Sequence, residues 1–184
     1  MTHMNKLMAL VAACAAVVGC ASLPSPQALD AQALAAVKTS FRDQGIAKVD
    51  RLNQDLGQQA CSSDQPPAAD VAKRIETASL ATIKWPAGGQ YVGDWKEGEK
   101  LAQNGRGMTW TDPSAATKDN GGNCYNCHQI DKKEISFGTI GPSLYNYGKL
   151  RGVKDPADPA AAAIVQYTWG KTWNSKAYAA CSNM

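Results

Sequence analysis

Histidine is scarce in this chain, with only His3 and His128 among 184 residues. Long apolar runs are also missing. The longest, Leu7 to Val18, falls short of the roughly 20 residues needed to span a bilayer. Lys6 precedes it as a positive n-region, so the pattern is that of a cleaved export signal and not of a spanning anchor. Charge of one sign is lacking too. The formal net charge is +3, and it falls to +2 once residues 1–19, which carry Lys6 and no acid, are removed. So small an excess argues against a polyanionic partner, and no nucleic acid is expected. No internal repeat is present, and the mature chain of about 165 residues suits one domain with an extension, or two small units.

What is present is the pentapeptide Cys124-Tyr125-Asn126-Cys127-His128. In an exported chain, C-x-x-C-H is the pattern at which haem is attached covalently: two thiols add to the vinyl groups and the adjacent imidazole ligates the iron. Zinc is the competing use of such thiols, but it needs four ligands, and only His3 remains to supply another imidazole. One covalently attached haem c is therefore expected, held by Cys124 and Cys127, with His128 on the metal.

Export also governs the other cysteines. Val17-Val18-Gly19-Cys20 has the form of a bacterial lipobox, which would lipidate Cys20 and tether a periplasmic protein to a membrane surface. Gly19-Cys20-Ala21 equally satisfies a small-x-small cleavage pattern. Cys14 leaves with the signal, so Cys61 and Cys181 remain, either paired in an oxidising compartment or as two free thiols.

The expected organisation is a signal over residues 1–19, a Pro- and Ser-containing linker over 20–27, a helical extension over 28–90 and a haem domain over 91–184. Leu34, Val37 and Phe41, then Ile46, Val49, Leu52 and Leu56, recur at helical spacing and meet near Gly45. Ser62 to Pro67 breaks the pattern before a third stripe, Val71, Ile75 and Ala78, which ends ahead of Trp85-Pro86. Asp94 and Glu97 predict a capped helix running to about Asn104 and stopped by Gly105. The glycine- and asparagine-rich stretch 105–123 is long for a structureless connection. Asp158-Pro159 predicts the start of an alanine-rich helix reaching about Thr168.

A sixth iron ligand, if the protein supplies one, falls to methionine, because no second histidine survives processing. Met108 and Met184 are the candidates. Met184, 56 residues beyond His128, leaves enough chain to travel around a haem edge, whereas Met108 suits a packing role. Thioether ligation raises the potential and favours electron transfer over substrate binding. Gly141-Pro142-Ser143-Leu144 can bring the Pro142 carbonyl to the second nitrogen of His128. Tyr145, Tyr147, Trp169 and Trp173 are candidates to line a haem crevice or to fill the core, and Arg151 to meet a propionate or face solvent.

Taken together, Cys124 to His128, Gly141 to Leu144, Tyr147-Gly148, Arg151 and the ending Tyr178-Ala-Ala-Cys181-Ser-Asn-Met184 resemble SoxX, the monohaem subunit of the SoxAX thiosulfate-oxidising cytochromes. The haem motif and Gly-Pro turn are common to small cytochromes c, and the ending is the specific part. The resemblance covers about residues 91–184 and implies an all-α, class I cytochrome c-like domain. It implies a SoxA partner that carries the sulfur chemistry, the SoxYZ carrier protein as recipient, and a downstream electron acceptor. The complex would then act as an L-cysteine S-thiosulfotransferase that couples thiosulfate to a carrier cysteine, with this chain relaying the electrons. Members of that family continue past the methionine into a terminal helix that crosses the first one, so Met184 is expected to mark a C-terminally truncated copy, with a poorly held sixth ligand. A stand-alone periplasmic monohaem carrier is the alternative that the same residues allow.

Overall fold

The computed structural model describes residues 23–116, 120–134 and 136–184. The expected export signal, with Cys14 and Cys20, lies outside them. Among the described residues every regular element is helical, and extended pairing is confined to one isolated bridge between Gln44 and Ala47. The fold class is all-α. No helix among the described residues is long and apolar enough to cross a membrane.

The chain divides into two units, one ending at Arg42 and the other spanning Asp43–Met184. The first contains helix α1, Pro26–Ser40. Ser25 caps it by accepting from the Ala28 amide at 3.2 Å, and Pro26 occupies the first turn, where a missing N–H costs nothing. No residue of α1 is buried, so the stripe of Leu34, Val37 and Phe41 does not mark an enclosed face.

The second unit departs from the expected helix over residues 46–56. Gly45, at φ 51°, turns the chain so that Gln44 and Ala47 exchange hydrogen bonds at 2.9 Å, and the Asp43 carboxylate takes the Val49 amide. A short 3-10 turn, Val49–Leu52, follows. Asp55 and Gln58 then form a reciprocal capping box that starts a new helix, α2, Leu56–Cys61. Local side chain to backbone bonds thus outcompete the helical spacing.

Helix α3, Ala69–Ala81, starts just after Pro66-Pro67 and encloses Ile75. Helix α4, Trp95–Gln103, has Asp94 as its cap, accepting from Lys96 N at 2.8 Å. Its Glu97 turns away from the expected capping box to pair with Lys100 at 2.7 Å. After the short α5, Tyr147–Leu150, Asp158 caps a 3-10 turn, Pro159–Ala161, which leads into α6, Ala162–Trp173. This last helix outruns its expected end near Thr168. Its aromatic, Thr and Gly residues are weak helix formers, and packing holds them instead. Gly170 lies so close to the Tyr178 ring and Trp85 that a Cβ would collide with both.

The core of this unit is small. Ile75, Ile83, Ala161 and Ala180 are its buried apolar side chains among the described residues. Aromatics form a second layer, in which Trp169 stacks on Trp173 and meets Tyr91 edge-on at 5.9 Å. The indole N–H groups of Trp169 and Trp173 donate to the carbonyls of Lys84 and Thr82 at 3.0 and 3.1 Å. Cys61 at the end of α2 is disulfide-bonded to Cys181, with Cα atoms 5.4 Å apart, which decides the pairing that the sequence left open.

Candidate functional site

The glycine-rich stretch after α4 is packed against that helix. Gly122 N donates to the Leu101 carbonyl at 2.7 Å and Asn123 N to the Asn104 carbonyl at 3.0 Å, so the loop satisfies carbonyls that the end of α4 would leave open. A Cβ on Gly121 would collide with the Asn104 carbonyl, which is why the approach needs glycine. Asn123, at φ 53°, then reverses the chain into the 3-10 turn Cys124–Asn126. The amides of Cys127 and His128 both donate to the Cys124 carbonyl, at 3.1 and 2.9 Å. This tight turn keeps Cys124 and Cys127 on one short loop, each a free thiol and each partly accessible.

Residues 138–144 run alongside that turn as a ladder. Gly138 N donates to Tyr125 O at 2.7 Å, Gly141 N to Cys127 O at 2.8 Å and Leu144 N to Gln129 O at 2.7 Å. Ser143 Oγ adds a bond to Gln129 Oε1 at 3.0 Å. The ladder brings the Pro142 carbonyl 2.7 Å from His128 Nδ1. A carbonyl can only accept, so Nδ1 carries a proton, and in the neutral ring Nε2 then keeps the lone pair a metal would take. Gly141 sits directly against the ring, where a Cβ would collide with Cε1 and Nδ1 and lie 2.7 Å from Nε2. The ladder thus orients the ring and selects the Nδ1–H tautomer of its neutral form.

Cys124, Cys127, His128 and Pro142 are therefore gathered in one pair of loops. The two methionines lie on other elements. Met108, at φ 57° and 55% exposed, lies in the loop after α4. Met184 is 61% exposed, and its main-chain oxygen accepts from the hydroxyl of Ser175 at 3.2 Å. Arg151 stacks its guanidinium 3.9 Å from the centre of the Tyr147 ring. Tyr145 lies beneath the Lys132 ammonium. Tyr147, Trp169 and Trp173, with Tyr91, Val153 and Ile164, line a largely apolar cavity of about 480 Å³. Among the described residues no three His, Cys, Asp or Glu side chains converge as a metal cluster, so the two thiols and the imidazole do not form a preassembled zinc site.

Gly138, Gln129 and Ser175 were not singled out from the sequence. A glycine three residues before Gly141 was the available sign of a second close approach. Ser175 gave none, because its partner is a backbone carbonyl nine residues on.

The fold and site define an all-α protein with a C-x-x-C-H turn whose histidine is oriented by a backbone carbonyl. No protein-family profile matches the chain. An uncharacterized lipoprotein of Aquifex aeolicus (strain VF5) is 33% identical to it over 193 aligned positions, gaps included, covering 98% of this chain and 84% of that protein. The chain belongs to the same family as that lipoprotein.

Proposed function

We propose that this protein is a c-type cytochrome of the SoxX kind, in which one haem bound through Cys124 and Cys127 passes single electrons onward from a thiosulfate-oxidising partner. The observation that carries the reading is the 2.7 Å bond from His128 Nδ1 to the Pro142 carbonyl, made at a C-x-x-C-H turn with both thiols free. A neutral imidazole with its distal nitrogen unprotonated is the form that ligates iron, and a carbonyl on the other nitrogen raises its basicity. Gly141 supports the same reading, since only a residue without a Cβ leaves space for the ring in this position. The apolar cavity lined by Tyr147, Trp169 and Trp173 is a separate feature, since none of Cys124, Cys127, His128 and Pro142 lines it.

The haem, when bound, supplies the one-electron couple. The chain's own residues hold it, orient its proximal ligand and set its surroundings. Met184 would supply a thioether sulfur to the iron, and Arg151, held over Tyr147, would pair with a propionate. SoxA and the SoxYZ carrier are the assigned partners in a cytochrome c-like assembly. Lipidation at Cys20 and tethering on the periplasmic side gain support from a relative that is itself called a lipoprotein. The test is to mature the chain in a host equipped for c-type cytochromes and mix it with a SoxA and thiosulfate. Reduction of the haem band only when SoxA is present is the expected outcome. A haem that stays oxidised in a formed complex refutes the role, and a chain that elutes alone from gel filtration favours a stand-alone carrier. Mass spectrometry of the mature N-terminus checks the anchor, which a free Ser22 amine would exclude.

A further inference from the structure

Helices α2 and α3 carry none of the expected ligands, yet they hold the segment that ends in Met184. Cys61, the last residue of α2, is bonded to Cys181, three residues before Met184. The 3-10 turn Ser175–Ala177 makes its most extensive packing with α3. Just ahead of that turn, Asn174 Nδ2 donates to Thr82 Oγ1 at 2.9 Å. Ser175 is only 3% exposed, and its hydroxyl donates to the Met184 carbonyl. Gly57 of α2 is buried against Ile75 and Lys176, which draws α2 onto both α3 and the turn. Fixing a residue in one place costs backbone entropy. Here the disulfide, the buried Ala180 and the Ser175 bond order the backbone up to Met184 before any ligand bond is made.

We propose that residues 43–85 form a positioning clamp for Met184, with Cys61 and Ser175 as its positioning residues, so that thioether ligation depends on the Cys61–Cys181 bond. This rests on the assignment of Met184 as axial ligand. The clamp gives the helical segment a purpose distinct from covering a core: it removes from ligation part of the entropy of ordering the segment that carries Met184.

The experiment compares the haem-loaded chain with Cys61→Ser/Cys181→Ser, Ser175→Ala and Met184→Ala variants. Haem staining and helical circular dichroism are followed alongside the ferric sulfur-to-iron charge-transfer band, the reduction potential and hydrogen exchange at residues 178–184. In the double variant the ligated-to-unligated ratio is expected to fall about tenfold or more, the effect of freeing roughly one residue's backbone entropy. The potential should drop and the terminal amides should exchange faster, with haem staining unchanged. Ser175→Ala, which keeps the disulfide, should show the same changes in smaller measure, and it decides the matter if the double variant does not fold. A full band and unchanged potential in whichever variant folds overturns the clamp. If Met184→Ala loses the band while the clamp variants keep it, the clamp alone falls. A band that survives Met184→Ala, or a chain that never stains for haem, overturns the underlying assignment and the clamp with it.

Discussion

Adding one methyl group at Gly141 is expected to unseat His128. A Cβ there would collide with Cε1 and Nδ1 of the imidazole and lie 2.7 Å from Nε2, closer than any carbon tolerates. Two responses are open. The ladder can shift, which disturbs the Gly141 N to Cys127 O bond of 2.8 Å, at the ~1–3 kcal/mol typical of overpacking. Alternatively the ring can rotate away, giving up the Nδ1 bond to Pro142, worth ~0.5–1.5 kcal/mol net. Either way Gly141→Ala should destabilise by about 1–3 kcal/mol, measurable against a total of ~5–15 kcal/mol. Urea unfolding reads the loss as a lower midpoint at unchanged slope. Nitrogen NMR of the imidazole reads which nitrogen keeps its proton. Gly98→Ala is the control, because Gly98 lies in α4 with open space where its Cβ would go, and there the methyl should stabilise by ~0.5–1 kcal/mol. If Gly141→Ala unfolds at the same urea concentration as the parent and Nδ1 keeps a protected proton, the contact between glycine and ring does not orient His128.

Three further outcomes follow from the same geometry. Removing the Cys61–Cys181 bond opens a loop of sequence separation 120, so the double serine variant should lose up to about 5 kcal/mol in denaturant unfolding, and a loss under ~1 kcal/mol would contradict the pinning described. Gly170→Ala should destabilise by ~1–3 kcal/mol, since its methyl would strike the Tyr178 ring and Trp85; Tyr178→Phe combined with it should recover part of the loss by removing the hydroxyl. Burial, with Tyr167 and Tyr91 nearby, raises the Tyr178 phenol above its ordinary value. Its contribution is therefore intact below about pH 10, the unfolded value, and is lost as pH rises through the higher folded value. Alkaline unfolding curves of Tyr178→Phe should lack that loss, and identical curves would exclude it.

The parts of the fold written in short-range chemistry were legible in the sequence. Asp94 and Asp158 are legible as caps, and Ser62 to Pro67 as a break ahead of the stripe Val71, Ile75 and Ala78, which lies on a helix that starts at Ala69. The stretch from Ile46 to Leu56 misled, because apolar spacing cannot reveal that Asp43 and Asp55 divert the backbone into turns. The end of α6 is hidden for the opposite reason: residues with weak helical preference are held there by Trp85 and Tyr91, distant in sequence, and by Tyr178 just beyond the helix. At the site, the histidine and its carbonyl partner were visible from the Gly-Pro turn. The use of glycines at 121 and 138 for close backbone approach was not, since a glycine does not announce what it approaches. The disulfide that joins Cys61 to Cys181, three residues before Met184, is a long-range tie that no local pattern encodes.

Everything turns on whether a macrocycle is joined to Cys124 and Cys127. The full chain, produced in a host that matures c-type cytochromes, should carry the added mass of one haem on the peptide containing residues 124–128, in tandem mass spectrometry after denaturation. Replacing either thiol with serine should abolish one of the two bonds. Recovery of that peptide with both cysteines unmodified, from colourless protein made in a competent host, would contradict the account.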